Sequence, residues 1–414
     1  MLLHRFAVAV ALCSCVWSAN AQNMPHDTLN KVPAANAAPA KPASSKWYDK
    51  ISLRGYAQFR YNRLLETNPD LRCDQCDKGW GKGQEFVFRR ARLVFSGDVH
   101  ERLNIYVQFD YSSDASSTNK HFLQVRDAYF DLALDKKKEF RLRLGQSKVL
   151  YGFDNLQSSS NRLTLDRSDA LNSAAPNERE IGGFFLYAPS AVRALWKQLV
   201  DDGLKGSGDY GAFGFGVYNG QTANKPELNN DLHVVARLSY PFKIGRDQII
   251  EPGIQAYTGK YTLAKDQLSA GVKTSQDVRY DDRRVAASFV LYPRPFGIQA
   301  EYNIGDSPTF DTGTDSIRVK GLHGGYVTAS YRTKIKGTTF IPFARWQTYD
   351  GAKKHELDAR LYRVRETEIG VEWLPFKNFE LTLAYVISHR QYEDFKDNYD
   401  ESGRLLRVQM QFNY

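Results

Sequence analysis

The chain reads as an all-β protein, a transmembrane antiparallel β-barrel of about 16 strands. Three observations lead there. Along the last residues Leu406, Val408, Met410, Phe412 and Tyr414 fall on one face and Arg407, Gln409, Gln411 and Asn413 on the other, the period of a strand with one apolar side. In water such an apolar edge strand would recruit others, whereas a strand that closes a barrel has no free edge. The mean hydropathy of -0.51 would suit a soluble protein, but every second residue of a membrane barrel faces water, so a low mean is also what a barrel gives. Beyond the leader no apolar run is long enough for a spanning helix.

The elements follow in order. Residues 1–21 read as a signal peptide, with Arg5, an apolar stretch from Phe6 to Trp17, and Ala19-Asn20-Ala21 at the cleavage site. A lipoprotein reading of Leu12-Cys13-Ser14-Cys15 fits less well, because a small residue should precede the cysteine. Residues 22–46, with Pro25, Pro33, Pro39 and Pro42 and almost no aromatics, cannot bury a core and read as a disordered periplasmic lead-in. The barrel is expected over 47–414.

Alternation predicts strands near 51–64, 85–98, 102–111, 123–133, 139–147, 181–188, 209–218, 231–240, 248–263, 281–293, 296–304, 321–333, 338–349, 359–374, 378–391 and 403–414. The number is even, as single-chain outer-membrane barrels require. In the first, Leu53, Gly55, Ala57, Phe59 and Tyr61 oppose Arg54, Tyr56, Gln58, Arg60 and Asn62; in the third, Ile105, Val107 and Phe109 oppose Asn104, Tyr106 and Gln108. The fourth has no clean face, which leaves Arg126 and Asp127 unassigned. Short connections (98–102, 134–139, 293–295, 375–378) alternate with long ones (66–84, 148–180, 264–280, 305–320), the rhythm of periplasmic turns and outer loops. The interval 189–208 breaks that rhythm, and Val192 to Val200 has the pattern of an amphipathic helix. Trp47, Tyr48, Trp346, Tyr349, Trp373, Phe376 and Phe379 stand near strand ends and read as interfacial girdles, with ordinary core packing as the alternative.

Several segments together resemble one family, the phosphate-selective porins O and P. They are Phe88-Arg89-Arg90-Ala91-Arg92-Leu93, Val125-Arg126-Asp127-Ala128-Tyr129-Phe130, Leu144-Gly145-Gln146-Ser147-Lys148 with Tyr151-Gly152-Phe153, Arg345-Trp346-Gln347-Thr348-Tyr349-Asp350-Gly351 and Glu368-Ile369-Gly370-Val371-Glu372-Trp373. The resemblance implies a sixteen-stranded trimeric barrel with an inward-folded third outer loop that narrows the pore, and with arginines and lysines passing anions along it. That loop is 148–180, carrying Lys148, Arg162, Arg167 and Arg179 but also Asp154, Asp166, Asp169, Glu178 and Glu180, a mixed charge that departs from a purely basic constriction.

Alternation places Arg54, Arg60, Arg90, Arg92, Arg141, Arg143, Arg237, Arg284, Arg345, Arg390 and Arg407 on the water side of the wall. Arginine suits an anion path because its planar fork meets two oxyanion oxygens and keeps its charge, and the formal net charge is +9. Two readings of each arginine stand side by side: it passes anions, or it braces the wall against Asp98, Asp110, Glu301, Glu366, Glu368 or Glu372. Basic residues opposite the lipid face argue against nucleic-acid binding, which needs them on an outer face with stacking aromatics.

Cys73-Asp74-Gln75-Cys76 in the first outer loop has redox or half-zinc spacing, but it lacks a βαβ setting and a second ligand pair; a local disulfide between Cys73 and Cys76 is expected in an oxidising compartment. Gly305-Asp306-Ser307 reads as turn chemistry in a loop, Gly79-Trp80-Gly81-Lys82 lacks the glycine spacing of a phosphate loop, and the histidines form no HExxH pair. Ser388 and His389 are neighbours on a strand and point to opposite faces, so a barrel enzyme has no Ser/His pair there. The expectation is a cofactor-free, metal-free, non-enzymatic porin in the outer membrane of a Gram-negative bacterium. Its partners would be phosphate or other small anions, outer-membrane lipid and two further copies in a homotrimer. A nonspecific pore, or a receptor or adhesin barrel with a plugged lumen, is the alternative.

Overall fold

The computed structural model describes residues 46–414 apart from 75, 77–78, 83–85, 114–120 and 246. The signal peptide and nearly all of the lead-in fall outside the described residues. After a short helical turn at Trp47–Lys50, the wall is built from β1 (Ser52–Leu64), β2 (Val87–His100), β3 (Leu103–Ser112), β4 (Phe122–Ala133), β5 (Phe140–Lys148), β6 (Arg179–Tyr187), β7 (Phe213–Tyr218), β8 (His233–Ser239), β9 (Gln248–Thr262), β10 (Arg279–Leu291), β11 (Phe296–Asp311), β12 (Ser316–Tyr331), β13 (Thr338–Ala352), β14 (Leu361–Phe376), β15 (Phe379–Glu393) and β16 (Asn398–Asn413). Phe242–Ile244 prolongs β8 and Thr333–Ile335 prolongs β12, each pairing with the same neighbour as its parent strand. The sixteen strands pair antiparallel in chain order, and β1 pairs with β16, so the sheet closes on itself.

The seam depends on a glycine. Gly55 N donates to Tyr414 O at 2.8 Å and Tyr414 N to Gly55 O at 3.0 Å. A Cβ on Gly55 would stand 2.1 Å from Arg92 O and 2.6 Å from the Tyr414 ring. With no side chain at this point, the terminal ring lies over the backbone, and its hydroxyl donates to Arg92 O at 3.0 Å.

The period of two sorts side chains as expected. On β10 the buried residues Asp282, Arg284, Ala286 and Ser288 alternate with exposed Arg283, Val285 and Phe289; on β16 Arg407, Gln409 and Gln411 are buried while Met410 and Phe412 are exposed. A water-filled bore lined by polar side chains, inside a wall that turns leucine, isoleucine and phenylalanine outward, satisfies both solvents.

Several elements differ from the sequence expectation. Gly305-Asp306-Ser307 is not in a loop: β11 runs on to Asp311, and the connection to Ser316 is a tight turn. Polar residues are tolerated there because paired strands continue beyond the lipid into water. Tyr349 is not a girdle residue, since it is fully buried within the bore beside Tyr326 and Tyr362, while Trp346 is exposed outward. Asp98 stands exposed at the turn end and pairs with Lys138 at 2.7 Å instead of lining the bore.

The mixed faces of β4 come from a bulge. Gln108 pairs with Asp127 and the next residue, Phe109, with Val125, so Arg126 is an extra residue. Both Arg126 and Asp127 are buried, and the alternation changes parity on either side of them, as a bulge requires. A second bulge lies on β2, where Gln58 pairs with Arg90 but Phe59 with Phe88, making Arg89 the extra residue.

Candidate functional site

The connection between β5 and β6 bonds to inward-facing side chains far around the wall, not to the rim alone. Asp166 Oδ1 accepts from Arg60 Nη1 on β1 at 3.1 Å, and its other oxygen from Arg407 on β16. Asp169 accepts from Arg390 on β15 at 3.0 Å and from Lys353 at 2.7 Å. Ser173 Oγ accepts from Arg284 Nη1 on β10 at 2.7 Å, and Glu301 on β11 accepts from the backbone of Phe153 and Asp154 at 2.5 and 2.7 Å. On the β1–β2 side, Ser159 O accepts from Gln58 Nε2 at 2.9 Å and Ser159 Oγ from Arg92 Nη1 at 3.2 Å. Two helical turns, Phe153–Leu156 and Asp169–Asn172, let the segment expose enough backbone N–H groups and carboxylates to meet these partners. Burial opposes the ionisation of Asp166 and Glu178, but the surrounding guanidinium groups outweigh it and hold both carboxyls well below their usual range.

Most of the arginines assigned to the water side carry bracing partners. Arg92 bonds Asp110 at 3.0 Å, Arg143 bonds Asp131 at 2.7 Å, Arg141 bonds Asp209 at 2.7 Å and Arg237 reaches Glu251 at 3.4 Å. Arg284 stands 4.0 Å from Asp282, and Arg345 stands 4.0 Å from both Glu366 and Glu368 while donating to Asp166 O at 2.8 Å. Arg54 is exposed at the turn end of the bore, 5.8 Å from the Tyr106 ring.

The loop cations divide in the same way. Arg167 and Arg179 pair with Glu178 at 2.7 and 2.5 Å, and Arg179 also with Asp127 at 3.1 Å. Lys148 and Arg179 face each other as the last rung of the β5–β6 ladder, at the base of the loop. Arg126, left unassigned from the sequence, pairs with Glu178 at 3.1 Å; only a bulge could have placed it, and alternation gives no signal for one.

Three buried cations have no carboxylate within 4.0 Å among the described residues. Arg90 donates to Gln58 Oε1 at 3.2 Å and stands in the field of Arg89, Arg92 and Arg162. Arg162 reaches Leu165 O at 3.4 Å, and its Nε and Nη1 meet no acceptor among the described residues. Lys148 donates to Leu156 O at 2.6 Å and Gln157 O at 3.0 Å. Of the three, Arg90 lines a cavity of about 800 Å³ in which it, Arg89, Arg126, Arg167, Lys225 and Arg360 stand with the carboxylates Asp74, Asp110, Asp166, Glu178 and Glu356. Its wall includes the first outer loop, where Cys73 and Cys76 form a disulfide packed with Leu71 and Trp80 against Val386 and Leu405.

A closed, sixteen-stranded antiparallel barrel with a polar bore and a lipid-facing exterior is the architecture of an outer-membrane porin, and it points to a passive channel rather than an enzyme. The strand neighbours Ser388 and His389 point to opposite faces, since Ser388 donates to Glu366 in the bore and His389 bonds Asp400 on the outer face. Residues 67–414 match the family model described as phosphate-selective porin O and P, and the chain belongs to that family. Among solved structures it is similar to the outer membrane channel DcaP of Acinetobacter baumannii, at 13% identity over 88% of this chain and 97% of that one, with a TM-score of 0.55. OmpF of Salmonella typhi is similar at 15% identity over 89% and 98% with a TM-score of 0.53, and OmpT of Vibrio cholerae, in a trimer form, at 12% over 88% and 100% with 0.51. At these identities the likeness is one of fold. No curated protein sequence matches the chain.

Proposed function

We propose that the chain is a passive, anion-preferring diffusion pore of the outer membrane, narrowed where segment 149–178 meets the wall, and that Arg90, Arg162 and Lys148 are the cations that face the solute. The carrying observation is the contrast in pairing. A guanidinium saturated by a carboxylate has little field left for a passing ion, whereas Arg90 and Arg162 keep theirs. Family membership supports phosphate-type anions as the solute class. The near balance of cations and carboxylates around the outer cavity favours a graded preference for anions over strict phosphate selectivity. A homotrimer is part of the same reading, supported by the trimer form of the similar OmpT.

The test is charge reversal at one residue. In planar bilayers, Arg90→Glu should move the reversal potential under a chloride or phosphate gradient toward cations. An unchanged potential in a folded variant removes Arg90 from the path. No current at all from the native protein favours the plugged-barrel alternative.

A further inference from the structure

The interval that breaks the turn rhythm has its own place in the bore. Between β6 and β7 the chain forms a helix, Ser190–Asp201. Its apolar residues Val192, Leu195, Trp196 and Leu199 are buried against inward-facing Ile249 of β9 and Val290 of β10, with Phe153 of segment 149–178 in the same cluster. Trp196 is fully buried, and its Nε1 donates to Glu251 Oε2 at 2.9 Å.

Beyond the helix, Lys205 Nζ donates to Glu372 Oε2 on β14 at 2.5 Å. In a ring of sixteen strands β14 lies halfway round from β6, so a chain rooted between β6 and β7 must cross the bore to make this bond. On the way it joins segment 149–178, since Gln157 Nε2 donates to Lys205 O and Asn161 Nδ2 to Gly206 O, both at 2.5 Å. The return leg is anchored by Arg193 and Arg141 on Asp209, at 2.8 and 2.7 Å, and by Arg237 Nη1 on Gly211 O at 2.8 Å. Left-handed φ values at Gly203, Lys205, Gly208 and Gly211 of 66°, 65°, 96° and 82° allow the reversal. A cavity of only about 30 Å³ remains between Leu204, Lys205, Asp154 and Gln157.

Charge in this layer is compensated: Lys205 pairs with Glu372, and Asp209 with Arg141 and Arg193. We propose that residues 188–212 are a second, periplasmic-side constriction in series with segment 149–178, a size filter that admits small inorganic oxyanions and turns back larger organic anions. The proposal rests on the pore reading above. Selectivity by charge and selectivity by size would then reside in different segments of one bore.

The experiment uses the full chain. Replacing 190–208 by a short Gly/Ser turn should raise single-channel conductance by roughly twofold and admit sugar phosphates in liposome swelling, with the anion-to-cation ratio unchanged. An unchanged conductance and size limit overturns the proposal. Should the replacement not fold, Lys205→Cys in the otherwise native chain should lose roughly half its current on reaction with a bulky neutral thiol reagent added from the periplasmic side. Labelling confirmed by mass with no loss of current, or a cysteine that never labels, overturns it. Native current with these negative results defeats the filter alone, whereas native silence defeats the pore.

Discussion

Asp166→Asn should strengthen anion preference, a gain where most pore substitutions lose. The Asp166 carboxylate neutralises Arg60 and Arg407 together, its side chain is 9% exposed, and it lines the outer cavity. The amide has almost the same shape and leaves the arginines seated: Arg60 keeps Gln409 Oε1 at 2.7 Å and Leu165 O at 2.9 Å, and Arg407 keeps Asn62 Oδ1 at 2.9 Å. The bond from Arg345 goes to the Asp166 backbone and is untouched. One unit of positive charge is thus released in place. At ~6 Å from a passing anion that charge is worth ~0.7 kcal/mol in water and ~2.8 kcal/mol at an effective dielectric of ~20. The cavity is open to water and salt, so the lower part of the range applies, about 3- to 10-fold in anion permeability. The assay is reversal potential across a chloride gradient, with heat-modifiable migration on gels confirming the folded barrel. An unchanged or weakened anion preference in a folded variant would refute the idea that pairing silences the wall arginines.

Two further predictions concern the loops. Glu178 is buried, which opposes its charge, yet Arg167, Arg126 and Arg179 keep its carboxyl well below the usual range. Its folded value is depressed, so the stabilisation is complete above the ordinary value near 4.5 and is lost only as pH falls through the depressed one. The difference in reversal potential between native protein and Glu178→Gln should therefore stay constant from neutral pH through 4.5 and shrink only as pH falls through the depressed value; a difference that shrinks between pH 7 and 5 contradicts the geometry. Replacing Cys73 and Cys76 by serine removes a short-loop constraint worth about 2 kcal/mol. Because these sulfurs pack with Trp80 against Val386 and Leu405, the variant should be cut faster by protease between residues 65 and 86 while its wall stays intact.

The wall was legible because a strand has a period of two and a membrane punishes its violation. All eleven arginines assigned inward lie on the buried or bore-side parity of their strands. What alternation could not supply was the partner of each: Arg60 and Arg390 meet carboxylates, Asp166 and Asp169, that are more than a hundred residues away and carried by a loop. Tyr349 misled because a ring near a strand end suits an interface and a bore equally well. The helix Ser190–Asp201 was visible in its apolar spacing, but an amphipathic helix packs against any apolar surface, and only the tertiary structure shows Ile249 and Val290 beneath it. Arg126 and Asp127 were unreadable because one added residue inverts the pattern on one side of itself.

That added residue bears on how such a wall tolerates insertions and deletions. Removing Arg126 would let Val125 and Asp127 follow one another in strict alternation, leaving each half of the strand with the face it already shows. Losing a residue of β4 outside the Arg126–Asp127 pair would instead shift part of the strand by one place and drive Tyr129 and Asp131, or Leu123 and Val125, into the wrong solvent. The bulge is therefore the site at which this strand can shorten by one codon without turning itself inside out, and the matching bulge at Arg89 gives β2, on the far side of β3, the same freedom.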